Sequence, residues 1–139
     1  MKSKIPVEIK IIRKASRAEI IALYKEAGWW KTEYEKDSSF VDCIVKNTYC
    51  LAGAFHKGKM IGMGRGISDS CSDAYIQDVV VLKKFRGHGI GGAIIRKIVE
   101  HLQSKGIDWI ALVAEPGTEN FYRELGFRRM KKHIPMLLK

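Results

Sequence analysis

The sequence has few of the features that would indicate a disulfide scaffold, a metal centre or a membrane anchor. There are three cysteines, Cys43, Cys50 and Cys71, an odd number without C-x-x-C spacing, so we predict no disulfide framework and no metal site. We expect each cysteine to be a small apolar side chain buried in the core. No apolar run approaches the ~20 residues that cross a bilayer. The segment Met1 to Lys10 lacks the apolar core of a secretion signal, so a cytoplasmic protein without membrane contact is predicted.

Charge is the most unusual property of the composition. The chain has 139 residues, 46% of them hydrophobic and 29% charged, which suits one globular domain over residues 1–139. Its net charge of +10 favours anionic partners in general, including nucleic acids, acidic proteins and phosphorylated cofactors. The basic residues are spread along the chain and form no stripe interleaved with aromatics, so nucleic acid is not predicted as the main partner.

The hydrophobic pattern alternates between strands and helices. Helix signals are the capping-box pair Ser16 and Glu19, and isoleucines and leucine spaced by four residues after position 89. Together the patterns predict a mixed α/β domain. Predicted strands are Val7–Arg13, Tyr49–His56, Lys59–Ser68, Tyr75–Leu82 and Trp109–Ala114, with extended chain from Phe127; predicted helices run from Ser16 to Gly28, through Phe40 to Val45, up to Gly106, and over Thr118–Leu125.

One predicted strand is unusually rich in glycine. Gly62, Gly64 and Gly66 alternate within Lys59–Ser68, where each leaves room for a close neighbour. Two interpretations are open: a ligand or another backbone segment approaches there, or the strand is bulged and flexible.

A glycine-rich turn joins the strand ending at Leu82 to the long helix that follows. Four glycines between Arg86 and Gly92 let the backbone approach a ligand closely. The first amides of a helix have no internal partners and carry the positive end of the helix dipole. Lys83 and Lys84 add positive charge, so the segment predicts a phosphate-binding loop.

The spacing of this loop separates it from two common phosphate loops. It has no G-K-[ST], which excludes a nucleoside-triphosphate loop of that type. Gly87, Gly89 and Gly92 match the bare letters of the dinucleotide fingerprint G-x-G-x-x-G. That fingerprint follows the first strand of its fold and precedes an acidic residue on the second, whereas this loop follows several strands.

The loop resembles the signature R/Q-x-x-G-x-G/A of the GNAT N-acetyltransferase superfamily. Arg86-Gly-His-Gly-Ile-Gly91 fits it at every position. The resemblance implies an α/β fold with a mixed sheet of about six to seven strands flanked by about four helices, and acetyl-CoA as co-substrate. It implies pyrophosphate contacts for the loop and contacts near the thioester for the preceding strand. The residues concerned are Val79, Val80, Val81, Arg86, Gly87, His88, Gly89, Ile90, Gly91 and Gly92.

A second motif follows about 35 residues later. Phe121-Tyr122 and Gly126-Phe127 are similar to the family's F-Y-x-x-x-G-F ending, in which the tyrosine acts as general acid on the leaving thiolate. Tyr122 is therefore a predicted catalytic and cofactor-binding residue. Many members carry an asparagine seven residues before this tyrosine, where the present chain has Glu115. The asparagine contact with the cofactor is therefore either absent or supplied by Asn120, which is the predicted cofactor-binding residue.

The implied reaction is attack of an amine on the thioester. The amine must lose a proton, and Asp78 is the predicted base, with Asp73 and Glu33 as alternatives. Pairing of Asp78 with a lysine or arginine at a strand end is an equally open interpretation. A free backbone amide near Val81 is expected to stabilise the developing oxyanion.

The segment after the first helix predicts an acceptor site. Trp29, Trp30 and Glu33 combine aromatic faces with a carboxylate, which suits a small cationic amine; a packed core with a solvated acidic face is the other interpretation. A protein N-terminus or lysine side chain is a second class of acceptor. A non-catalytic acyl-CoA-binding sensor is the rival function. The resemblance also implies a homodimer.

Overall fold

The computed structural model describes residues 5–139 and confirms the mixed α/β architecture. The described chain contains five strands and four α-helices, with 3₁₀ turns at Thr32–Glu35 and Lys83–Phe85. Each predicted helix and the first five predicted strands are present within a few residues of the expected bounds. In chain order they are β1 Glu8–Ile12, α1 Arg17–Ala27, α2 Phe40–Asn47, β2 Cys50–His56, β3 Lys59–Ser68, β4 Asp73–Val81, α3 Ile90–Ser104, β5 Trp109–Leu112 and α4 Glu119–Glu124.

The strands form one open sheet in chain order. β1 to β4 are antiparallel neighbours, and β5 pairs in parallel with β4 after the crossover through α3. The β2–β3 hairpin turns at Lys57 and Gly58, both with positive φ (51° and 77°), as a tight two-residue turn requires. The parallel pair β4–β5 therefore lies at one side of the sheet, immediately before and after the glycine-rich loop and its helix.

The predicted count of six to seven strands is wrong: the described residues form five. The expected final strand after Phe127 does not form, and residues 128–139 are exposed. Ile134, Met136 and Leu138 are 80%, 92% and 98% exposed, so no apolar burial there offsets the entropy of ordering a strand. Pro135 between them also lacks the amide that a ladder needs.

The predicted capping box at the start of α1 forms only in part. Ser16 Oγ accepts a hydrogen bond from the Glu19 amide at 3.3 Å, as expected. The Glu19 carboxylate instead accepts one from the Met60 amide at 2.6 Å on β3. This contact ties α1 to the sheet, where its fully buried Ile20 and Leu23 join the core.

The glycine stripe of β3 accommodates helix α3. A Cβ placed on Gly64 would lie 2.8 Å from Ile94 Cγ2 and 2.9 Å from Ile98 Cδ1. Gly62 and Gly66 face the same helix, with α3 isoleucine atoms 3.0 Å and 3.2 Å from their missing side chains. At Gly64 the close neighbour is therefore a helix side chain and not a ligand or a backbone segment. The bulge of the other interpretation is present, because β3 has one extra residue between Met60 and Gly62 in its pairing with β2. The absence of side chains lets α3 lie close to the sheet.

The variant Gly64→Ala is expected to destabilise the fold by about 1–3 kcal/mol, the usual cost of overpacking a close-packed core. Both contacting isoleucines are fully or almost fully buried, so neither can move away freely. Thermal or urea unfolding measures the effect. Gly92→Ala is the matched control, because its new methyl would meet only side-chain atoms of Arg96 and Leu125 that are 3.5 Å or more away. Equal stability of the two variants would contradict the packing argument.

The prediction that all three cysteines are buried is correct only for Cys50. Cys50 is buried on β2, and burial raises the pKa of its thiol to about 11. Cys43 and Cys71 are exposed, because they lie on the outer face of α2 and in the β3–β4 loop. Within residues 5–139 no group of side chains is arranged to hold a metal ion, and no helix is long and apolar enough to cross a membrane.

Candidate active site

A cleft opens where the two parallel strands diverge. β4 and β5 pair only from Asp73 opposite Trp109 to Ile76 opposite Leu112, after which β4 continues to Val81 with β3 as its only strand partner in the described chain. The cleft between the diverging segments has a volume of about 390 Å³. Its lining residues are Trp29, Tyr75, Ile76, Gln77, Asp78, Val113, Ala114, Glu115 and Pro116. Ligands commonly bind at such strand ends.

A β-bulge places Asp78 in this cleft. Arg65 of β3 lies opposite Gln77, but Met63 lies opposite Val80, so β4 contains one extra residue there. Asp78 has a left-handed backbone with φ 54°, which is uncommon for a residue other than glycine. A bulge also interrupts the ladder of backbone hydrogen bonds. The interruption of the β3–β4 ladder lies at Asp78 and Val79, because Val81 is again in register with Gly62. The Leu82 amide donates to the Ile61 carbonyl at 2.9 Å, so the amide of the preceding Val81 points away from β3, and its role with an oxyanion stays a prediction.

The Asp78 carboxylate is held by two donors from other elements. Tyr24 Oη of α1 donates to Asp78 Oδ2 at 2.8 Å, and Arg65 Nε of β3 donates to the same oxygen at 2.7 Å. Asp78 therefore forms the ion pair that was one interpretation of the sequence. Its side chain is still 24% exposed and lines the cleft.

Tyr122 lies half-buried on α4, edge-on between Phe121 and Phe127. Burial raises the pKa of its phenol above the ordinary value, and the negative charge of Glu115 raises it further. The hydroxyl makes no hydrogen bond to any residue in the described chain. Tyr122 is therefore protonated at neutral pH and able to donate its proton.

The glycine-rich loop presents an open helix N-terminus. Gly87 and Gly89 have positive φ (79° and 77°), and Gly89, the N-cap of α3, gives the helix no side-chain cap. Arg86 Nε donates to the Val81 carbonyl at 2.9 Å, so this side chain braces the loop against β4. Phe121 of α4 lies beside Gly91, with its Cζ 3.4 Å from the position that a Cβ on this glycine would occupy. The uncapped amides at the start of α3 suit the pyrophosphate of acetyl-CoA.

The strand before the loop suits the pantetheine arm. Val79 and Val81 direct their side chains toward the glycine face of β3 and α3, and Val80 is buried on the other face. Beyond Ile76 the edge of β4 that faces away from β3 has no strand partner in the described chain. Apart from the Val81 carbonyl, which accepts from Arg86, its backbone groups are therefore available to an extended amide chain. His88 is half-buried beside the loop, and Asn120 is exposed on the first turn of α4.

The predicted acceptor residues lie in two places. Trp29 lines the cleft and packs edge-on against Tyr24, with ring centroids 5.8 Å apart. Trp30 stacks on Phe40 outside the cleft and donates from Nε1 to Glu35 at 2.9 Å. Glu33 is exposed on the 3₁₀ turn after Trp30 and does not line the cleft either. Asp73, an alternative base, begins β4 and also lies outside the cleft lining.

Three residues near Asp78 were not recognised as functional from the sequence. Tyr24 and Arg65 lie 54 and 13 positions before it, and no spacing rule connects them. Tyr75 lines the cleft and meets Trp109 edge-on, with ring centroids 5.4 Å apart. Glu115 was identified from the sequence only as a departure from the family's asparagine. Its position just after β5, where ligands commonly bind, could have indicated that it lies in the site.

Comparison with known families identifies the class. The model of the acetyltransferase (GNAT) family matches residues 14–127, which include the cleft, the loop and Tyr122. The chain belongs to this family. A GNAT-family acetyltransferase from Streptococcus pneumoniae has the same fold, with a TM-score of 0.81 at 20% identity over 96% of this chain and 98% of that one.

Relatives with curated names divide by acceptor. The chain is 31% identical over 120 residues to "Histone acetyltransferase TAP1" of Glycine max, covering 78% of this chain and 50% of that protein. It is 40% identical over 70 residues to "Serotonin N-acetyltransferase 2, chloroplastic" of Oryza sativa subsp. japonica, covering 50% and 35%. The chain spans less than two thirds of the length of the curated relatives that it matches.

Proposed function

We propose that this chain transfers an acetyl group from acetyl-CoA to a primary amine, preferably a small cationic one. The observation that carries the proposal is the composition of the cleft. In a chain of net charge +10, the residues lining the cleft include two carboxylates, Asp78 and Glu115, and no lysine or arginine. The cleft therefore favours a cation, while the basic residues around the loop favour an anion such as a pyrophosphate.

The loop and the free strand edge would hold the cofactor. When bound, acetyl-CoA supplies an acetyl group activated as a thioester. The start of α3 and Arg86 to Gly92 would bind its pyrophosphate, and the free edge of Val79 to Val81 its extended arm. Asn120 would contact the arm from α4. The Val81 amide, which points away from β3 on the free edge of β4, would be offered to the carbonyl oxygen that becomes negatively charged.

Two side chains would move protons. Asp78 takes the proton from the bound ammonium ion, leaving a neutral amine whose lone pair forms the new N–C bond. The C–S bond breaks, and Tyr122 gives its proton to the departing thiolate. Placing amine and thioester together in the cleft supplies much of the rate enhancement.

The walls of the cleft favour an amine attached to an aromatic or flat apolar body. Trp29 and Tyr75 are both in the lining and offer ring faces to a cation or an aromatic group. An arylalkylamine fits this combination, and one relative carries the name of such an amine, serotonin.

A protein N-terminus or lysine is the alternative acceptor, as the name of the histone acetyltransferase suggests. A non-catalytic acyl-CoA-binding sensor is the second alternative function. The cytoplasmic location and the homodimer stay predictions.

An amine panel tests the proposal. The protein is incubated with acetyl-CoA and equal concentrations of an arylethylamine, a polyamine, a free lysine derivative and a peptide with a free N-terminus. Release of CoA thiol and the mass of the product are measured. Fastest turnover with the arylethylamine is expected. Preference for the peptide would move the proposal to protein acceptors, and tight CoA binding without turnover of any amine would favour the sensor.

Glu115→Gln is expected to raise KM for the cationic acceptor about tenfold, with a smaller effect on KM for acetyl-CoA. The carboxylate lies in the cleft lining, and a charged partner that is only partly desolvated contributes on the order of 1–2 kcal/mol to binding. Steady-state kinetics with the best amine measure the shift. Glu100→Gln on α3 makes the same charge change away from the cleft and should leave both constants unchanged. An equal rise in both variants would indicate a general charge effect.

A further inference from the structure

Asp78 has two carboxylate oxygens in different surroundings. Both side-chain donors, Tyr24 Oη and Arg65 Nε, bind Oδ2. Oδ1 accepts no hydrogen bond within residues 5–139, and the side chain lines the cleft. A carboxylate held through one oxygen leaves the lone pairs of the other available for a proton. The two donors thus fix the orientation of the group that faces the acceptor.

The donors are themselves fixed by other contacts. Arg65 also donates from Nη1 to Thr48 Oγ1 at 3.2 Å, and that hydroxyl donates to the Ile44 carbonyl at 2.6 Å at the end of α2. The Arg65 side chain is only 14% exposed. Tyr24 is almost fully buried, and this burial together with the charge of Asp78 raises the pKa of its phenol. Tyr24 therefore stays a donor over the working pH range.

The bulge requires such support. A left-handed Asp78 is a strained conformation that persists only where its surroundings determine it. Contacts from α1, through Tyr24, and from β3, through Arg65, meet at this residue. The other titratable groups facing the cleft are Glu115 from the β5–α4 loop and Tyr75 on β4 itself, and neither bonds Asp78.

We propose that Tyr24 and Arg65 are positioning residues that act through Asp78, holding its Oδ2 so that Oδ1 meets the ammonium group of the acceptor. This inference rests on the proposed function, in which Asp78 is the base. Thr48 extends the arrangement by orienting Arg65. Neither Tyr24 nor Arg65 lines the cleft, so neither is expected to contact the acceptor.

A double-mutant cycle on the rate tests the proposal. Tyr24→Phe is expected to lower kcat about ten- to hundredfold, as small displacements of a catalytic group do, without changing KM for acetyl-CoA. In an Asp78→Asn background the same change should lower kcat less than twofold, because the group that Tyr24 positions has lost its function. Arg65→Lys, which keeps the charge and one donor, should retain more activity than Arg65→Gln.

The outcomes separate the two levels of the argument. An equal loss of kcat from Tyr24→Phe in both backgrounds would overturn the positioning role, since a purely structural defect is independent of Asp78. Full activity of Asp78→Asn alone would instead overturn the assignment of the base, leaving acetyl transfer intact. Tyr34→Phe, which alters a tyrosine outside the cleft lining, is the control for loss of a phenol. Thermal unfolding of every variant shows which of them are folded.

Discussion

Tyr122→Phe is expected to lower kcat for acetyl transfer by about 10²- to 10⁴-fold, the usual contribution of a positioned general acid. KM for acetyl-CoA should change little, because the phenylalanine ring keeps the edge-on contacts with Phe121 and Phe127. Initial rates of thiol release measure kcat, and calorimetry with CoA measures binding. Tyr49→Phe, on a ring that meets His101 away from the cleft, is the matched control.

The pH dependence gives a second test of Tyr122. Burial and the charge of Glu115 raise the pKa of its phenol above the ordinary value of ~10, so the acid form persists as pH rises. The native rate should therefore fall only at a pH above that value, and Tyr122→Phe should lose this basic limb. A variant that keeps both the native rate and the native limb would show that another donor protonates the thiolate.

The fold and the glycine-rich turn before α3 were predictable because they depend on local sequence patterns. Apolar residues at spacing four define α3, glycines punctuate the strand-to-helix turn, and the tight turn at Lys57 and Gly58 joins β2 to β3. These signals lie within a few residues of one another. A motif of this kind also predicted the short helix that carries Tyr122, although Tyr122 itself is not among the residues that line the cleft.

The arrangement around Asp78 could not be predicted, because it depends on register. One extra residue in β4, visible only in its pairing with β3, brings the carboxylate to Arg65 and to Tyr24 of α1. The acceptor prediction was limited for the same reason: Trp29 and Trp30 are adjacent in sequence, but only Trp29 lines the cleft. The expected last strand does not form because the apolar residues after Phe127 stay exposed, and the sequence alone does not show whether such residues become buried.

Asp78→Asn is expected to lower kcat/KM for the amine by about 10²- to 10⁴-fold near neutral pH. An alkylamine with a pKa near that of lysine, ~10.4, is about one part in 10³ neutral at pH 7, so an enzyme without a base depends on that small fraction. Asparagine is similar in size, and its side-chain oxygen can still accept from Tyr24 and Arg65. The variant is therefore expected to fold, which thermal unfolding checks.

The dependence of this defect on pH identifies its cause. At pH values below the amine pKa, each rise of one pH unit increases the concentration of neutral amine tenfold. The rate of Asp78→Asn should therefore rise steeply with pH and approach the native rate in alkaline solution. Asp73→Asn on the same strand tests the alternative base, and it should behave like the native protein because Asp73 lies outside the cleft lining. A defect in Asp78→Asn that stays constant from neutral to alkaline pH would assign Asp78 to maintaining the bulge. Another group facing the cleft would then remove the proton. Glu115 is the other carboxylate in the cleft lining.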